Sequence, residues 1–265
     1  MKKMTRLDVF LYDKGYAASR EKAKRLIDEG AVSVNGRLAA KPSLKVSDDD
    51  MIEIAEHTQY VGRGALKLVR AFEQFPISAK GRICADIGAS TGGFTQVLLQ
   101  NGAEKVYAVD VGHDQLAKEL ADDSRVVNCE GVNVRYLPKD FFEEDVTLIC
   151  GDLSFISLKQ IIPAVTAAVP ENAELVFLIK PQFEAGREAL NKKGIVTDQR
   201  RHTDVLRELC EFFKSCGLSL KGLTYSPICG GDGNREYLAY MVKNDTPPAV
   251  ADIRETVLQA FQNVN

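Results

Sequence analysis

The spacing of apolar residues divides the chain into two parts that meet near residue 58. In the first part, three apolar residues lie on one helical face, Leu7, Phe10 and Leu11. A second helix is predicted between Ser19, which can cap its beginning, and Gly30, which can end it in a left-handed conformation. Two strands around an Asn35-Gly36 turn and a third strand over residues 49–55 follow. We therefore predict a small α+β domain over residues 1–58.

From residue 82 onward, apolar runs alternate with amphipathic stretches. Seven segments are predicted as strands: 82–88, 105–112, 125–131, 146–155, 174–181, 220–228 and 235–244. Helices are predicted over 61–72, 95–102, 114–123, 158–169, 198–217 and 250–264. This alternation is typical of a doubly wound α/β fold. We predict that residues 59–265 form a Rossmann-like domain with a seven-stranded, mostly parallel sheet.

Charge is distributed unevenly along the chain. The whole chain has a formal net charge of −3. Residues 1–45 carry eleven Lys or Arg and five Asp or Glu side chains, a net charge of +6, so the remaining 220 residues carry −9. A small basic module over residues 1–45 of an otherwise acidic chain indicates contact with a polyanion. A merely solvated face with uneven charge is the alternative that charge alone leaves open.

Composition excludes several classes of protein. No run approaches the roughly 18 apolar residues that a membrane helix needs, and MKKMTRLD has no apolar stretch behind it, so neither a membrane span nor a secretory signal is expected. The six cysteines are scattered without a CxxC pair, which indicates reduced thiols in a cytoplasmic protein. The three histidines are far apart in sequence and are expected at the surface, so no metal site is predicted.

A dense glycine run follows the first predicted strand of the large domain. It reads Asp86-Ile-Gly88-Ala-Ser90-Thr-Gly92-Gly93-Phe94, and the second strand leads to Asp110. Glycines allow a ligand to approach the backbone, and a helix that begins near Gly92 offers free N–H groups. An acid at Asp86 would repel a pyrophosphate but could hold the ammonium of S-adenosylmethionine, so we favour that cofactor over NAD. Asp110 can accept hydrogen bonds from a ribose, or it can simply cap its strand.

Four charged residues stand where buried elements begin or end. Asp152 and Lys180 follow apolar strands, Glu236 opens the last strand, and Lys67 lies in the helix before the first strand. Taken singly, Lys180 and Glu236 could form a structural ion pair, and Lys67 could be a solvated helix charge. Because ligands in such sheets bind beyond the carboxyl ends of the strands, a common site is the alternative.

The small domain resembles the RNA-binding domain of ribosomal protein S-four. The resemblance rests on RLD, GYAASREKAKRLIDEGAVSVNGR and KPSLKVSDDDMIEI, and it covers residues 6–54. It implies a set of RNA contacts: Arg6, Ser19, Arg20, Lys24, Arg25, Asn35 and Lys41. Ser19 can equally be only a helix cap, and Asn35 only a turn residue.

The large domain resembles FtsJ-like RNA ribose 2′-O-methyltransferases, whose Lys-Asp-Lys-Glu tetrad matches the four charged residues in order and spacing. More closely, the chain resembles the TlyA (haemolysin A) family of bacterial rRNA methyltransferases in YVGRGALKL, DIGASTGGFTQVLLQ, EGVNVR, DLSFISL, LIKPQFE and REYLAY. The resemblance implies S-adenosylmethionine-dependent 2′-O-methylation of cytidine in ribosomal RNA or ribosomal subunits. It implies four catalytic residues: Lys67, Asp152, Lys180 and Glu236. It implies nine residues around the cofactor: Asp86, Gly88, Ser90, Gly92, Phe94, Asp110, Val111, Asn133 and Asp152.

Other functions remain as alternatives. A non-catalytic RNA-binding assembly factor could keep the same fold, and the loop disfavours a dehydrogenase. Enzymes that methylate amino groups of bases usually carry an Asn/Asp-Pro-Pro-aromatic motif, where this chain has Asp152-Leu153-Ser154-Phe155. Enzymes that methylate cytosine carbon need a nucleophilic cysteine, and Cys150 lies inside its predicted strand. Phe155 could stack on a base or simply pack.

Overall fold

The computed structural model describes residues 4–28, 30–39, 41–54, 60–230, 233–244, 246 and 251–264. The chain divides into two compact units, Met1–Ala65 and Leu66–Asn265. The domain boundary predicted between residues 58 and 59 lies outside the described residues and stays a prediction.

The first unit has a small α+β fold, as predicted. Its elements are β1 (Thr5–Arg6), α1 (Leu7–Asp13), α2 (Arg20–Asp28), β2 (Val32–Val34), β3 (Arg37–Leu38), β4 (Lys45–Val46) and β5 (Ile52–Ile54). β1 pairs antiparallel with β4, and β2 lies between β3 and β5 in a three-stranded antiparallel sheet. Leu7, Leu11, Ala23 and Ile27 are fully buried in its core. The helical spacing of these residues therefore identifies the faces on which α1 and α2 pack.

The larger elements begin at Ala65. They are α3 (Ala65–Gln74), β6 (Ile83–Ile87), α4 (Gly93–Gln100), β7 (Lys105–Val109), α5 (Lys118–Ala121), β8 (Val126–Cys129), β9 (Leu148–Gly151), α6 (Ile162–Ala167), β10 (Glu174–Ile179), α7 (Pro181–Glu184), α8 (Gln199–Ser215), β11 (Leu218–Tyr225), β12 (Tyr237–Lys243) and α9 (Ile253–Asn263). Short 3₁₀ turns occur at Val134–Tyr136, Leu158–Gln160 and Arg187–Ala189.

A seven-stranded sheet forms the centre of the second unit, in the order β11-β12-β10-β9-β6-β7-β8. Strands β6 to β10 are parallel, and β12 runs antiparallel to both of its neighbours. Ile149, Phe177 and Tyr237 in three of these strands are fully buried. Because helices cover both faces of a doubly wound sheet, its strands appear in the sequence as continuous apolar runs. The predicted fold class is confirmed.

The helix predicted over residues 114–123 is shorter in the structure, where α5 contains only Lys118–Ala121. The backbone N–H groups of Asp114, Gln115 and Leu116 donate to the carboxylate of Glu130. These bonds hold the segment before α5 as a loop, and they join residues on either side of β8. Local apolar spacing carries no information about such a partner.

His202 is fully buried, and the expectation of a surface histidine is wrong at this position. Its Nδ1 lies 2.8 Å from the hydroxyl oxygen of Tyr237, and its Nε2 lies 2.9 Å from the carbonyl oxygen of Val196. Burial lowers the pKa of His202, so the ring is neutral, with a proton on Nε2 for the carbonyl. His113 is exposed as expected, whereas His57 lies outside the described residues.

Candidate active site

Three charged side chains lie at one edge of the large sheet. Asp152 directly follows β9, Lys180 directly follows β10, and Glu236 directly precedes β12. β9 and β10 are parallel, whereas β12 is antiparallel to β10 and places Tyr237 opposite Ile179. The ends of β9 and β10 and the beginning of β12 therefore share one edge.

Lys67 reaches these three residues from α3. Its Nζ lies 2.9 Å from Asp152 Oδ2 and 2.8 Å from Glu236 Oε2. The Nζ of Lys180 lies 2.6 Å from Asp152 Oδ1. No side chain of the four is more than 18% exposed. The structure thus joins Lys180, Asp152, Lys67 and Glu236, hereafter the tetrad, in one chain of ion pairs.

Opposite charges within the tetrad offset the burial of its members. Burial lowers the pKa of Lys67, but the carboxylates of Asp152 and Glu236 outweigh it and hold that pKa above the ordinary value. Burial raises the pKa of Asp152, whereas Lys67 and Lys180 lower it to below its usual range. Asp152 is therefore ionised at neutral pH and lies between two ammonium groups.

Lys180 has a second polar partner. Its Nζ donates a hydrogen bond of 2.8 Å to the hydroxyl oxygen of Ser154, in addition to its contact with Asp152. An ammonium has three N–H donors, so these two contacts leave one for an oxygen of a substrate. The direction of that donor is fixed by the other two.

A cavity of about 470 Å³ lies beside Asp152. Six of the nine predicted cofactor residues line it: Gly88, Ser90, Asp110, Val111, Asn133 and Asp152. The other three, Asp86, Gly92 and Phe94, are buried and are not among its lining residues. Six of the predicted cofactor residues therefore form part of the cavity wall, and the other three are buried without lining it.

The glycine run has a backbone that most side chains would obstruct. Gly88 has a φ of +83°, and a Cβ there would lie 2.8 Å from the carbonyl oxygen of Asp152. Gly92 has a φ of +94° and directly precedes α4 as its N-cap, and a Cβ there would overlap with Leu120 and Leu116. Glycine at position 88 therefore keeps the turn close to Asp152 and keeps side-chain atoms out of the space between them.

Asp110 lines the cavity and is held by two backbone N–H groups. Its Oδ2 accepts a hydrogen bond of 2.8 Å from the backbone N–H of Ser90, and its Oδ1 accepts one of 2.8 Å from that of Gly112. The neighbouring Val111 is 66% exposed, so it offers an apolar surface at the rim. Asn133 accepts a hydrogen bond from the backbone N–H of Arg135 and begins a 3₁₀ turn.

Asp86 lies behind the glycine run at the end of β6. Its Oδ2 accepts hydrogen bonds from the backbone N–H and the hydroxyl of Thr95, at 2.8 and 2.7 Å. Its Oδ1 is buried and has no hydrogen-bond partner among the described residues. Burial raises the pKa of Asp86 to about 7. A buried carboxylate oxygen without a partner suits a cationic ligand group, so this end of β6 fits the predicted ammonium of S-adenosylmethionine.

Residues 60–243 match the model of the FtsJ-like methyltransferase family, and residues 5–52 match that of the S4 domain. The chain belongs to the FtsJ-like methyltransferase family. This confirms both domain resemblances and the prediction that the protein is a methyltransferase. Among the described residues there is no group of three or more His, Cys, Asp or Glu side chains that could hold a metal ion.

Relatives of this FtsJ-like methyltransferase cover nearly its whole length. The YqxC protein of Bacillus subtilis, described as a candidate rRNA methyltransferase, is 47% identical over 90% of this chain and 86% of its own. The 16S/23S rRNA (cytidine-2′-O)-methyltransferase TlyA of Mycobacterium tuberculosis is 40% identical over 91% of each chain. A solved structure of a candidate hemolysin from Streptococcus thermophilus has a TM-score of 0.76 and 43% identity, covering 99% of this chain and 98% of its own.

The residues predicted to contact RNA have different side-chain partners within the S4 domain. Arg6 and Arg20 both lie beside the carboxylate of Asp8. Ser19 accepts a hydrogen bond of 3.1 Å from the backbone N–H of Lys22, as a helix cap does. The side chain of Asn35 bonds with Asp50 and Met51 at its turn, and its φ is +53°. The last two therefore have structural roles, and their RNA contacts stay predictions.

Three further predicted RNA contacts lie in the same domain. The side chain of Lys24 is exposed on α2, and that of Lys41 is partly exposed before β4. The side chain of Arg25 lies outside the described part of the chain. Charged side chains at the surface of a basic domain remain consistent with the predicted contact to RNA.

Sequence reasoning missed Ser154 as a member of the site. The signal was its position, two residues after Asp152 in a segment that follows a buried strand. For Phe155 the sequence allows either stacking on a base or packing, and the structure shows the side chain 90% exposed at the cavity with a φ of +63°. Its ring centroid lies 5.3 Å from that of Phe183. Phe155 therefore does not pack in the core.

Among the described residues, no helix is both long enough and apolar enough to cross a membrane.

Proposed function

We propose that the protein transfers the methyl group of S-adenosylmethionine to the 2′-hydroxyl of a cytidine in ribosomal RNA. The observation that carries this proposal is the position of the tetrad, whose Asp152 also lines the cavity beneath the glycine run. The TlyA relative at 40% identity bears the name of this activity.

The chain's own residues account for binding of the methyl donor. Gly88 and Ser90 let it approach the backbone, and Asp110 faces its ribose. Asp86, in the layer behind the cavity wall, attracts its ammonium group through the buried Oδ1 that has no hydrogen-bond partner among the described residues. When bound, S-adenosylmethionine supplies a methyl group on a sulfonium, which is already a good leaving group. The methyl carbon therefore needs no activation by the protein.

The remaining task is to activate a ribose hydroxyl, which is a weak acid. Lys180 faces this hydroxyl with the Nζ donor that Asp152 and Ser154 leave available. As an ammonium it stabilises the negative charge that develops on the 2′-oxygen, and as a neutral amine it accepts the hydroxyl proton in the same direction. Lys67, paired with Glu236, holds the second oxygen of Asp152 and so fixes the carboxylate that orients Lys180.

The geometry disfavours methylation of a base. Cys150 is fully buried within β9, and burial raises the pKa of its thiol well above the ordinary value. A thiol of this kind is a poor nucleophile for attack on cytosine carbon. The segment after β9 places Ser154 against Lys180, where amino-group methyltransferases usually have a proline.

The S4 domain supports ribosomal RNA as the substrate, because basic side chains bind the phosphates of folded RNA. In this proposal residues 1–58 bind RNA, residues 59–265 carry out methyl transfer, and the protein acts in the cytoplasm.

The test is incubation of unmethylated ribosomal subunits with S-adenosylmethionine that carries a tritiated methyl group. The wild type should label ribosomal RNA, and Lys180→Ala should reduce the rate by about 10²- to 10⁴-fold while RNA binding is unchanged. Lys159→Ala, at a partly exposed lysine of the same unit, is the control and should retain activity. Full transfer by Lys180→Ala would contradict the assignment, and RNA binding without any transfer by the wild type would favour the assembly factor.

A further inference from the structure

A buried carboxylate lies within the S4 domain, between two of its exposed arginines. Asp8 is only 5% exposed, at the beginning of α1. Its Oδ1 accepts a hydrogen bond of 2.9 Å from Arg6 Nε, and its Oδ2 accepts one of 2.9 Å from Arg6 Nη2. The Nη2 of Arg20 lies 3.5 Å from the same Oδ2. Both guanidinium groups therefore meet one carboxylate.

The backbone around this carboxylate is fixed by pairing. The N–H of Asp8 donates to the carbonyl oxygen of Pro42, and the N–H of Val9 donates to Asp8 Oδ1. β1 and β4 pair so that Arg6 lies opposite Lys45, which adds a third positive side chain nearby. The position of Asp8 is thus set by elements that are separate in sequence.

The charge of Asp8 is maintained by its partners. The hydrogen bonds from Arg6 lower the pKa of Asp8, although burial opposes them. An ionised carboxylate on the basic face of an RNA-binding domain reduces the attraction for phosphate. If Asp8 contributes to RNA binding, it must therefore do so through the geometry of its neighbours and not through its own charge.

We propose that Asp8 is a positioning residue that holds Arg6 and Arg20 side by side, so that both donate to one phosphate group of ribosomal RNA. The side chains of Arg6 and Arg20 remain 44% and 58% exposed, so their other N–H donors are accessible. A guanidinium bound through Nε and Nη2 is held in a plane, and a fixed plane suits the bidentate geometry of phosphate. This inference rests on the proposed function, because it needs an RNA ligand.

The test is a comparison of RNA affinity between the full-length wild type and Asp8→Asn, measured on purified ribosomal subunits over a series of salt concentrations. Loss of one negative charge would by itself strengthen binding and leave the salt dependence as steep or steeper. Loss of the positioning contact instead weakens binding by about tenfold and reduces the slope of log affinity against log salt by about 1. The two explanations therefore predict opposite signs.

Asp48→Asn is the matched control. Asp48 is an exposed acid of the same domain that pairs with Lys14. Its replacement removes the same charge without touching Arg6 or Arg20, so binding should be unchanged or stronger. Arg6→Lys keeps the charge of residue 6 but cannot form the two-bond contact, and it should weaken binding as Asp8→Asn does.

Each outcome decides the inference. Affinity of Asp8→Asn equal to or above that of the wild type overturns it, as does full affinity of Arg6→Lys. If thermal unfolding shows that Asp8→Asn does not fold, Arg6→Lys and Arg20→Lys decide alone, because both retain the charge. A wild type that does not bind ribosomal subunits would contradict the proposed function itself. Equal binding by the wild type and Asp8→Asn would contradict only the role proposed for Asp8.

Discussion

At the scale of single residues, each charged side chain of the tetrad is largely buried beside a side chain of opposite charge. Asp152 uses one oxygen for Lys67 and the other for Lys180, and Glu236 gives Lys67 a second carboxylate. Each of these charges lies beside an opposite charge, so none is buried without a partner, which is the arrangement that would destabilise the fold most. The same pairing, with the bond to Ser154, fixes the orientation of the Lys180 ammonium, which the proposed mechanism requires.

Asp86 lacks such a partner, and its titration gives a prediction. Its pKa of about 7 exceeds the value of about 3.9 for an exposed aspartate, so between these pH values the folded protein binds a proton that the unfolded chain has released. The associated stability is present at low pH and is lost as the pH rises toward 7. Asp86→Asn has no such proton, so its free energy of unfolding should rise relative to the wild type between pH 5 and pH 8.

Denaturant unfolding at several pH values measures this difference. Its slope should not exceed about 1.4 kcal/mol per pH unit. Asp140→Asn, at an exposed aspartate of the same unit, provides the background. A difference between Asp86→Asn and the wild type that stays constant from pH 5 to pH 8 would contradict the account.

Some residues of the site could be predicted from the sequence and others could not. Asp152 and Lys180 follow apolar strands, and strand ends meet at a known edge of a parallel sheet. For Lys67 only the resemblance to the family gives its place in the site, because its pairing with Asp152, 85 residues further on, depends on how α3 packs, which local spacing does not encode. The spacing of His202 to Val205, Leu206 and Leu209 on α8 places it on the buried face, so the sequence does contain a signal against a surface position.

At the scale of elements, the turn between β6 and α4 determines how the cavity meets the tetrad. Its close approach to Asp152 requires glycine at position 88, as described above. The sequence predicts β6 and α4 to within about two residues, because their apolar runs are bounded by glycines. The sequence does not predict the short length of α5, because the loop before α5 is held by hydrogen bonds to Glu130, a residue that follows β8.

Comparing Gly88→Ala with Gly81→Ala distinguishes two effects of an added Cβ: collision with the backbone of Asp152, and strain from a positive φ. Both positions have positive φ values, +83° and +67°, so an alanine costs about 1 kcal/mol or somewhat more at either. Only at Gly88 would the Cβ collide with another backbone segment, since nothing lies within 4 Å of the corresponding point at Gly81. Gly88→Ala should therefore lower affinity for S-adenosylmethionine by at least about tenfold.

Isothermal titration with S-adenosylmethionine measures this affinity, and thermal unfolding measures the strain. Gly81→Ala should lose some stability and keep its affinity. Equal affinities for the two variants would mean that close approach at Gly88 is unimportant.

At the scale of the whole molecule, the two units differ in charge. The net charge is +2 over Met1–Ala65 and −5 over Leu66–Asn265, and a positive excess of +6 lies within residues 1–45, so a polyanion is attracted to that part of the S4 domain and repelled by the acidic second unit. The sequence alone provides this asymmetry, because it depends only on composition. Which basic side chains already have an acidic partner depends on the structure, since Lys14 pairs with Asp48 and Arg6 with Asp8.

Charge reversal should therefore act differently in the two units. Lys24→Glu with Lys41→Glu should weaken binding to ribosomal subunits and make it less dependent on salt, with unchanged affinity for S-adenosylmethionine. Lys80→Glu with Lys139→Glu, at exposed lysines of the second unit, is the control and should have a smaller effect. Filter binding over a salt series measures both, and equal effects of the two pairs would show that the S4 domain does not direct RNA binding.

The central claim is that the tetrad directs methyl transfer to a ribose hydroxyl. The most direct measurement is mass spectrometry of nucleosides from ribosomal RNA that the purified protein has modified in the presence of S-adenosylmethionine. The account predicts 2′-O-methylcytidine with the wild type and none with Lys180→Ala. A methyl group on the base instead of the sugar, or equal yields of 2′-O-methylcytidine from both proteins, would contradict it.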